Sequence, residues 1–505
     1  MDAPISTEAE ADTDAGIGTG TGTGTGEDRR AREWLLGLAM LMLAWLPRTV
    51  AGTGLVVVFF LSDTGWAAAV PLFLMATGIS RAVMAAHGPL PGRAVRPADE
   101  PELAELVRDV AERLGFREPL LVRIVPVVQA SLGPAKVAGV RTRVLLLGLP
   151  LLRNLTEAQL ASVIAHELAH ERHVGDRRHD LLRYSRAVLA ERLDGRFRPL
   201  APLAAPLLRA SQPLLWRAET AADADAARIA GTEATAEALR LAGLLHAAFE
   251  GLGEGWLSAL AEEDTWPEDF YDALDAALSD PYVARRAARA AAEEDAVDPY
   301  ATADHPPLDH RVAALPAHVE SPYGTAPLTL RTGPDVEAWC VLELTRLDWD
   351  PGEGPRDDEV SPVRLLDLPD SRLRELGFDT RLVLLDAVGG DSSTEAVAPA
   401  VDALADGTWT RLARRIEPSL RWAPATVRPA LTRSVLAGAV SPPFAEVLCT
   451  AGWTYTSRWL TTVVTAPDDG RVVDLHELLD QAVRGGDPEP VRTLWASAEP
   501  KEWAV

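Results

Sequence analysis

Residues 155–175 read LTEAQLASVIAHELAHERHVG, with His166-Glu167-Leu168-Ala169-His170 at the centre. Two histidines four apart on a helix leave from one face, so both imidazoles can reach one metal ion. The glutamate that follows the first histidine can then act as general base toward a water at that metal. The flanks predict the helix itself. Thr156 is an N-cap residue, Gln159 three positions on completes a capping box, and Gly175 offers a stop. Leu160, Val163, Ile164 and Leu168 recur at helical spacing and are expected to bury the face away from the metal.

A catalytic metal held by two histidines needs a third protein ligand and one position left open. Residues 216–231, WRAETAADADAARIAG, predict an alanine-rich helix on which Glu219 and Asp223 share a face. Alone, this spacing describes a solvated acidic face. Some fifty residues after the two histidines, Glu219 is the candidate third ligand. Asp223 is then placed to accept a hydrogen bond from a ligand histidine and fix its tautomer.

These motifs, with Asp176 six residues beyond His170 and with His305-Pro306-Pro307 followed by Arg311, resemble the HtpX and CaaX-prenyl-protease family of membrane zinc peptidases. The resemblance runs from about Trp34 to Pro316. It implies an α+β fold: a mainly helical, zincin-like metallopeptidase domain with a small β-sheet. It further implies one Zn2+ per chain held by His166, His170 and Glu219, with Glu167 as the base. Asp223 and Asp176 would orient the ligands, and His305 would lie near the substrate and stabilise the oxyanion. The activity implied is endoproteolysis of misfolded or membrane-associated proteins. A non-catalytic adaptor that keeps the fold is the alternative, favoured by loss of a ligand or of Glu167, and neither is lost. Processing of prenylated proteins ranks below both, because it goes with many membrane helices. A peptide substrate is expected to lie along a sheet edge as an added strand, with Arg143–Leu149 as that edge.

Composition bounds the rest. A chain of 505 residues exceeds one ordinary core, and a net charge of -25 excludes the basic face a nucleic-acid partner requires. The two cysteines, Cys340 and Cys449, form neither a disulfide framework nor a thiolate metal site. Residues 1–33 are acidic and carry a Gly-Thr repeat, which predicts a tail without a core. Residues 34–90 hold two apolar runs flanked outside by arginines, which predicts a transmembrane hairpin. By the same rule the protein would be a multi-pass membrane protein, with its catalytic domain facing the cytoplasm.

From Pro97 the pattern faces water. The expected order is a helix over 103–114, strands over 120–128 and 143–149 joined by a turn-rich connection, and then the metal helix, within a peptidase domain over 91–320. Residues 321–505 predict an α/β domain of unassigned role. Strands are expected over 381–388 and 461–466, and a helix capped by Asp474 over 475–484.

Overall fold

The computed structural model describes residues 31–46, 50, 90–137, 139–174, 177–194, 200–296, 301–347, 361–376, 380–423 and 425–498. Its first element, α1, is a helix over 31–46. A four-stranded sheet follows, built from β1 (Arg93–Ala94), β2 (Leu120–Val125), β3 (Ala130–Val137) and β4 (Val140–Gly148), with α2 (Pro101–Leu114) between β1 and β2. The helices α3 (Leu149–Asn154), α4 (Glu157–Val174), α5 (Arg177–Asp194), α6 (Ala201–Ala230) and α7 (Thr232–Ala248) come next.

The sheet order is β1-β2-β4-β3, with β2 parallel to β4 and both other pairings antiparallel. The stretch expected to be a turn-rich connection is therefore strand β3, and β4 is interior rather than an edge. Gly133 and Pro134 read as breakers, yet a proline is tolerated on an edge strand because its missing N–H costs no ladder bond there. Gly148 ends β4 where no side chain fits: a Cβ there would lie 2.3 Å from the Val127 carbonyl oxygen.

α4 is the central element. The expected capping box is present: Gln159 N donates to Thr156 Oγ1 at 3.3 Å and Thr156 N donates to Gln159 Oε1 at 3.0 Å. Leu160, Ala161, Ile164, Ala165, Leu168 and Ala169 are fully buried, so the helix threads the core instead of lying on it. It packs chiefly on α6, then on α7 and α2. The alanines Ala222, Ala226 and Ala230 of α6 belong to the same core and let the two backbones approach closely. α6 runs unbroken through Pro206 and Pro213, so the proline-rich stretch and the alanine-rich helix are one element of 30 residues.

That core is completed from the last third of the chain. Leu365, Leu373, Leu376, Trp459, Leu460 and Val463 join it, and Trp459 lies against Trp256 with ring centroids 5.4 Å apart. A second core gathers residues from Leu384 to Ala498 around the helix Arg428–Thr450. This part is helical with a three-stranded antiparallel sheet. Residues 380–388 form a helix, not the expected strand, because an apolar run this short fits either period and packing on Arg428–Thr450 decides. The expected strand near 461–466 is present at Val463–Thr465. Asp474 caps the helix Leu475–Gly485, accepting from the backbone N–H groups of His476 and Glu477.

The multi-pass membrane expectation is overturned on the described residues, where no helix is long and apolar enough to cross a membrane. The described part of α1 covers residues 31–46. Its Met40 and Ala44 are buried against Leu182, Leu189 and Leu193 of α5 and Ala201, Ala204 and Leu208 of α6. The second apolar run of the expected hairpin lies outside the described residues.

Candidate metal centre

α4 presents His166 and His170 from successive turns of one face, with ring centroids 5.2 Å apart. α6 crosses that face and brings Glu219, with Asp223 one turn further on. A segment over 301–307 and the short helix Leu308–Ala313 add His305 and Arg311.

Three donors meet: one nitrogen each from His166 and His170 and one oxygen from Glu219 lie within 4.8 Å of one another. The residues are only 9%, 7% and 4% exposed. Nε2 of His166 is 3.4 Å from one Glu219 oxygen, and Nε2 of His170 contacts the other. His305 Nδ1 stands 2.6 Å from Glu219 Oε2, on an imidazole that is itself 58% exposed. Two imidazole nitrogens and a carboxylate oxygen, buried and converging, are the donor set of a catalytic zinc site with one position free. Buried Nδ1 of His170 has no hydrogen-bond partner among the described residues. Glu167, next to His166 on α4, is half-buried and so more exposed than the three donor residues.

Behind the donors lies a chain of charges. His166 Nδ1 is 2.9 Å from Asp223 Oδ1, out of good hydrogen-bond alignment. Arg311 grips the Asp223 carboxylate with two bonds, Nε to Oδ2 at 2.8 Å and Nη2 to Oδ1 at 2.7 Å. Burial works against every ion here and is outweighed by the partners. Burial would raise the Asp223 carboxyl, but Arg311 and His166 hold it down at about 2. Burial would lower the His166 imidazole, but Asp223 and Glu219 lift it to about 10. The Glu219 carboxylate, with three histidines on it, is pushed far below the ordinary range despite burial.

Arg311→Ala should therefore cost more than a surface ion pair would. It leaves the buried Asp223 carboxylate unpaired, so a loss of about 3–5 kcal/mol in urea unfolding is expected. Weaker metal binding, roughly 10–100-fold in a competition titration, should accompany it as His166 loses its support. Unchanged stability and affinity would show that the Arg311–Asp223 pair supports nothing.

The structure thus brings together His166, His170, Glu219, Asp223 and His305, with Glu167 next to His166 on α4. Asp176 lies outside the described residues. His173 Nε2 stands 2.7 Å from Asp225 Oδ2. No signal in the sequence marks Arg186, which is buried between α6 and the segment that leads to His305: it is one of five arginines in α5, and no periodicity singles it out.

Residues 97–319 match the model of Peptidase family M48. No curated protein and no solved structure matches the chain. Both site helices, His305 and Arg311 fall inside the matched region, so it is the site-bearing part of the chain that is similar to peptidase family M48, a family of metallopeptidases.

Proposed function

We propose that the protein is a zinc-dependent endopeptidase acting on extended polypeptide segments. The observation that carries this reading is the buried convergence of His166, His170 and Glu219 inside the family M48 region, with half-buried Glu167 next to His166 on α4. A zinc ion held by His166, His170 and Glu219 would polarise the scissile carbonyl and lower the pKa of a water to about 7. Glu167 takes the proton from the attacking water and returns it to the leaving amine. Asp223, clamped by Arg311, keeps the His166 ring in register. His305, anchored through Nδ1 to Glu219, offers its other nitrogen to the developing oxyanion.

The substrate strand adds to β3, the long edge of the sheet, which packs on α4. β-Strand addition reads backbone more than side chain, so cleavage preference is loose and unfolded chains are the favoured substrates. His166 lies against both Glu219 and Asp223, and with His305 on Glu219 and Arg311 on Asp223 the site is a single network rather than a row of motifs.

The test is metal removal. The purified protein is expected to bind about one zinc per chain and to cleave casein or a quenched peptide. A chelator should abolish cleavage, and one equivalent of zinc should restore it. Undiminished cleavage by the metal-free protein, or none by the zinc-loaded protein, would overturn the reading.

A further inference from the structure

Arg186 of α5 is 1% exposed, among the largest fully buried side chains in the molecule. A buried guanidinium is costly unless hydrogen bonds replace its water. Here they do. Nε donates to Asp304 Oδ1 at 3.0 Å. Nη1 donates to the Leu208 carbonyl at 2.8 Å and to Ser211 Oγ at 2.6 Å. Nη2 reaches three consecutive carbonyls, those of Ala301 at 2.8 Å and of Thr302 and Ala303 at 3.3 Å. The fork therefore holds two things together: the segment 301–304, and α6 about two to three turns before Glu219.

The segment has no regular structure of its own to fix it. Ala301 sits at φ 58°, a left-handed conformation that a residue with a Cβ adopts only when its surroundings impose it. The next residue after Asp304 is His305, whose Nδ1 stands 2.6 Å from Glu219 Oε2. Since α6 carries both Leu208 and Glu219, one helix serves as the ruler for both contacts.

We infer that Arg186 is the positioning residue for His305, fixing the 301–304 segment to α6 so that the imidazole meets Glu219. This inference rests on the peptidase reading for its catalytic consequence, but not for the clamp itself. Lysine in place of Arg186 keeps the charge and loses the fork, so it cannot serve acceptors on three sides at once.

The experiment uses the full chain with Arg186→Lys, and Ser211→Ala as a milder variant that removes one partner of the fork. In the metal-free proteins, hydrogen–deuterium exchange over 301–305 should quicken about tenfold in Arg186→Lys and less in Ser211→Ala, with α4 and the C-terminal half of α6 unchanged. In the zinc-loaded Arg186→Lys protein, kcat should fall about tenfold or more with KM within about twofold, since small misplacements of a catalytic group cost rate rather than binding. On a His305→Ala background the same substitution should cost no further activity. Unchanged exchange over 301–305 would overturn the inference. So would exchange that rises equally through α4 in both variants, or an equal loss of kcat on both backgrounds. If His305→Ala alone cleaves like the parent, the catalytic role proposed for His305 fails, and the exchange result then decides Arg186 by itself.

Discussion

Glu167→Gln is expected to keep its metal and to lose cleavage by about 10²–10⁴-fold in kcat/KM, the contribution typical of a positioned general base. The amide matches the carboxylate in shape and accepts hydrogen bonds, but it cannot take a proton from water at neutral pH. Glu167 is not among the three residues whose donor atoms converge, so metal content should be unchanged. Its half-buried side chain makes the substitution mild for folding. Metal analysis beside kinetics on a quenched peptide separates the two effects. A variant that still cleaves within about threefold of the parent would remove Glu167 from the mechanism. A variant that loses the metal would make it a ligand instead.

Glu219→Ala is expected to act one step earlier and empty the site. It deletes the single group that His166, His170 and His305 all contact. Loss of a direct ligand should weaken zinc binding by more than the roughly 10–100-fold that loss of an outer partner costs. The parent should also show a pH signature that this variant, which keeps Asp223 beside His166, shows only in part. In the metal-free parent the His166 imidazole is lifted from 6.5 to about 10, against its burial, by Asp223 and Glu219. Its protonation therefore stabilises the metal-free fold fully below pH 6.5, and that contribution fades as pH rises through about 10. Glu219 has the opposite sign: its depressed pKa stabilises the fold above 4.5 and is lost only on strong acidification.

Zinc must displace the His166 proton, so binding should release a proton at neutral pH and tighten as pH rises from 6 toward 9. The thermal shift produced by a fixed excess of zinc should grow over that range. Calorimetry in buffers of different ionisation enthalpy counts the proton. A pH-independent affinity, or zinc binding by Glu219→Ala equal to the parent's, would sink the assignment of this cluster as the metal site.

The metal helix was legible from its residues alone. Thr156 and Gln159 cap it, the histidines repeat at four, and its apolar positions outnumber what one face needs, consistent with a helix buried nearly all round. These are local signals, set by helical period and backbone capping, and they survive whatever the rest of the chain does. Glu219 and Asp223 were legible only as a pair on a second helix, and the spacing could not say that α6 crosses α4 at their height. The three-donor cluster exists because alanines on α6 allow that approach, which is a packing fact.

Elsewhere local signals misled. Gly133 and Pro134 look like breakers, yet β4 offers a partner strand and leaves the proline on an open edge, so the open edge of the sheet is β3 and not β4. The apolar α1 reads as half of a membrane hairpin, whereas its Met40 and Ala44 are buried against α5 and α6. The run over 380–388 reads as a strand until the helix Arg428–Thr450 supplies a face for it.

What the sequence determined by itself is the donor groups: two imidazoles and the carboxylates of Glu167 and Glu219 at spacings that helices convert into shared faces. What only the tertiary structure decided is the long-range geometry. Arg311 on Asp223 and Arg186 on the 301–304 segment join residues 88 and 115 or more positions apart. Hydrogen bonds of that reach leave no period in the chain, because the partners are set by how α5 and the segment 301–313 pack on α6 rather than by any local repeat.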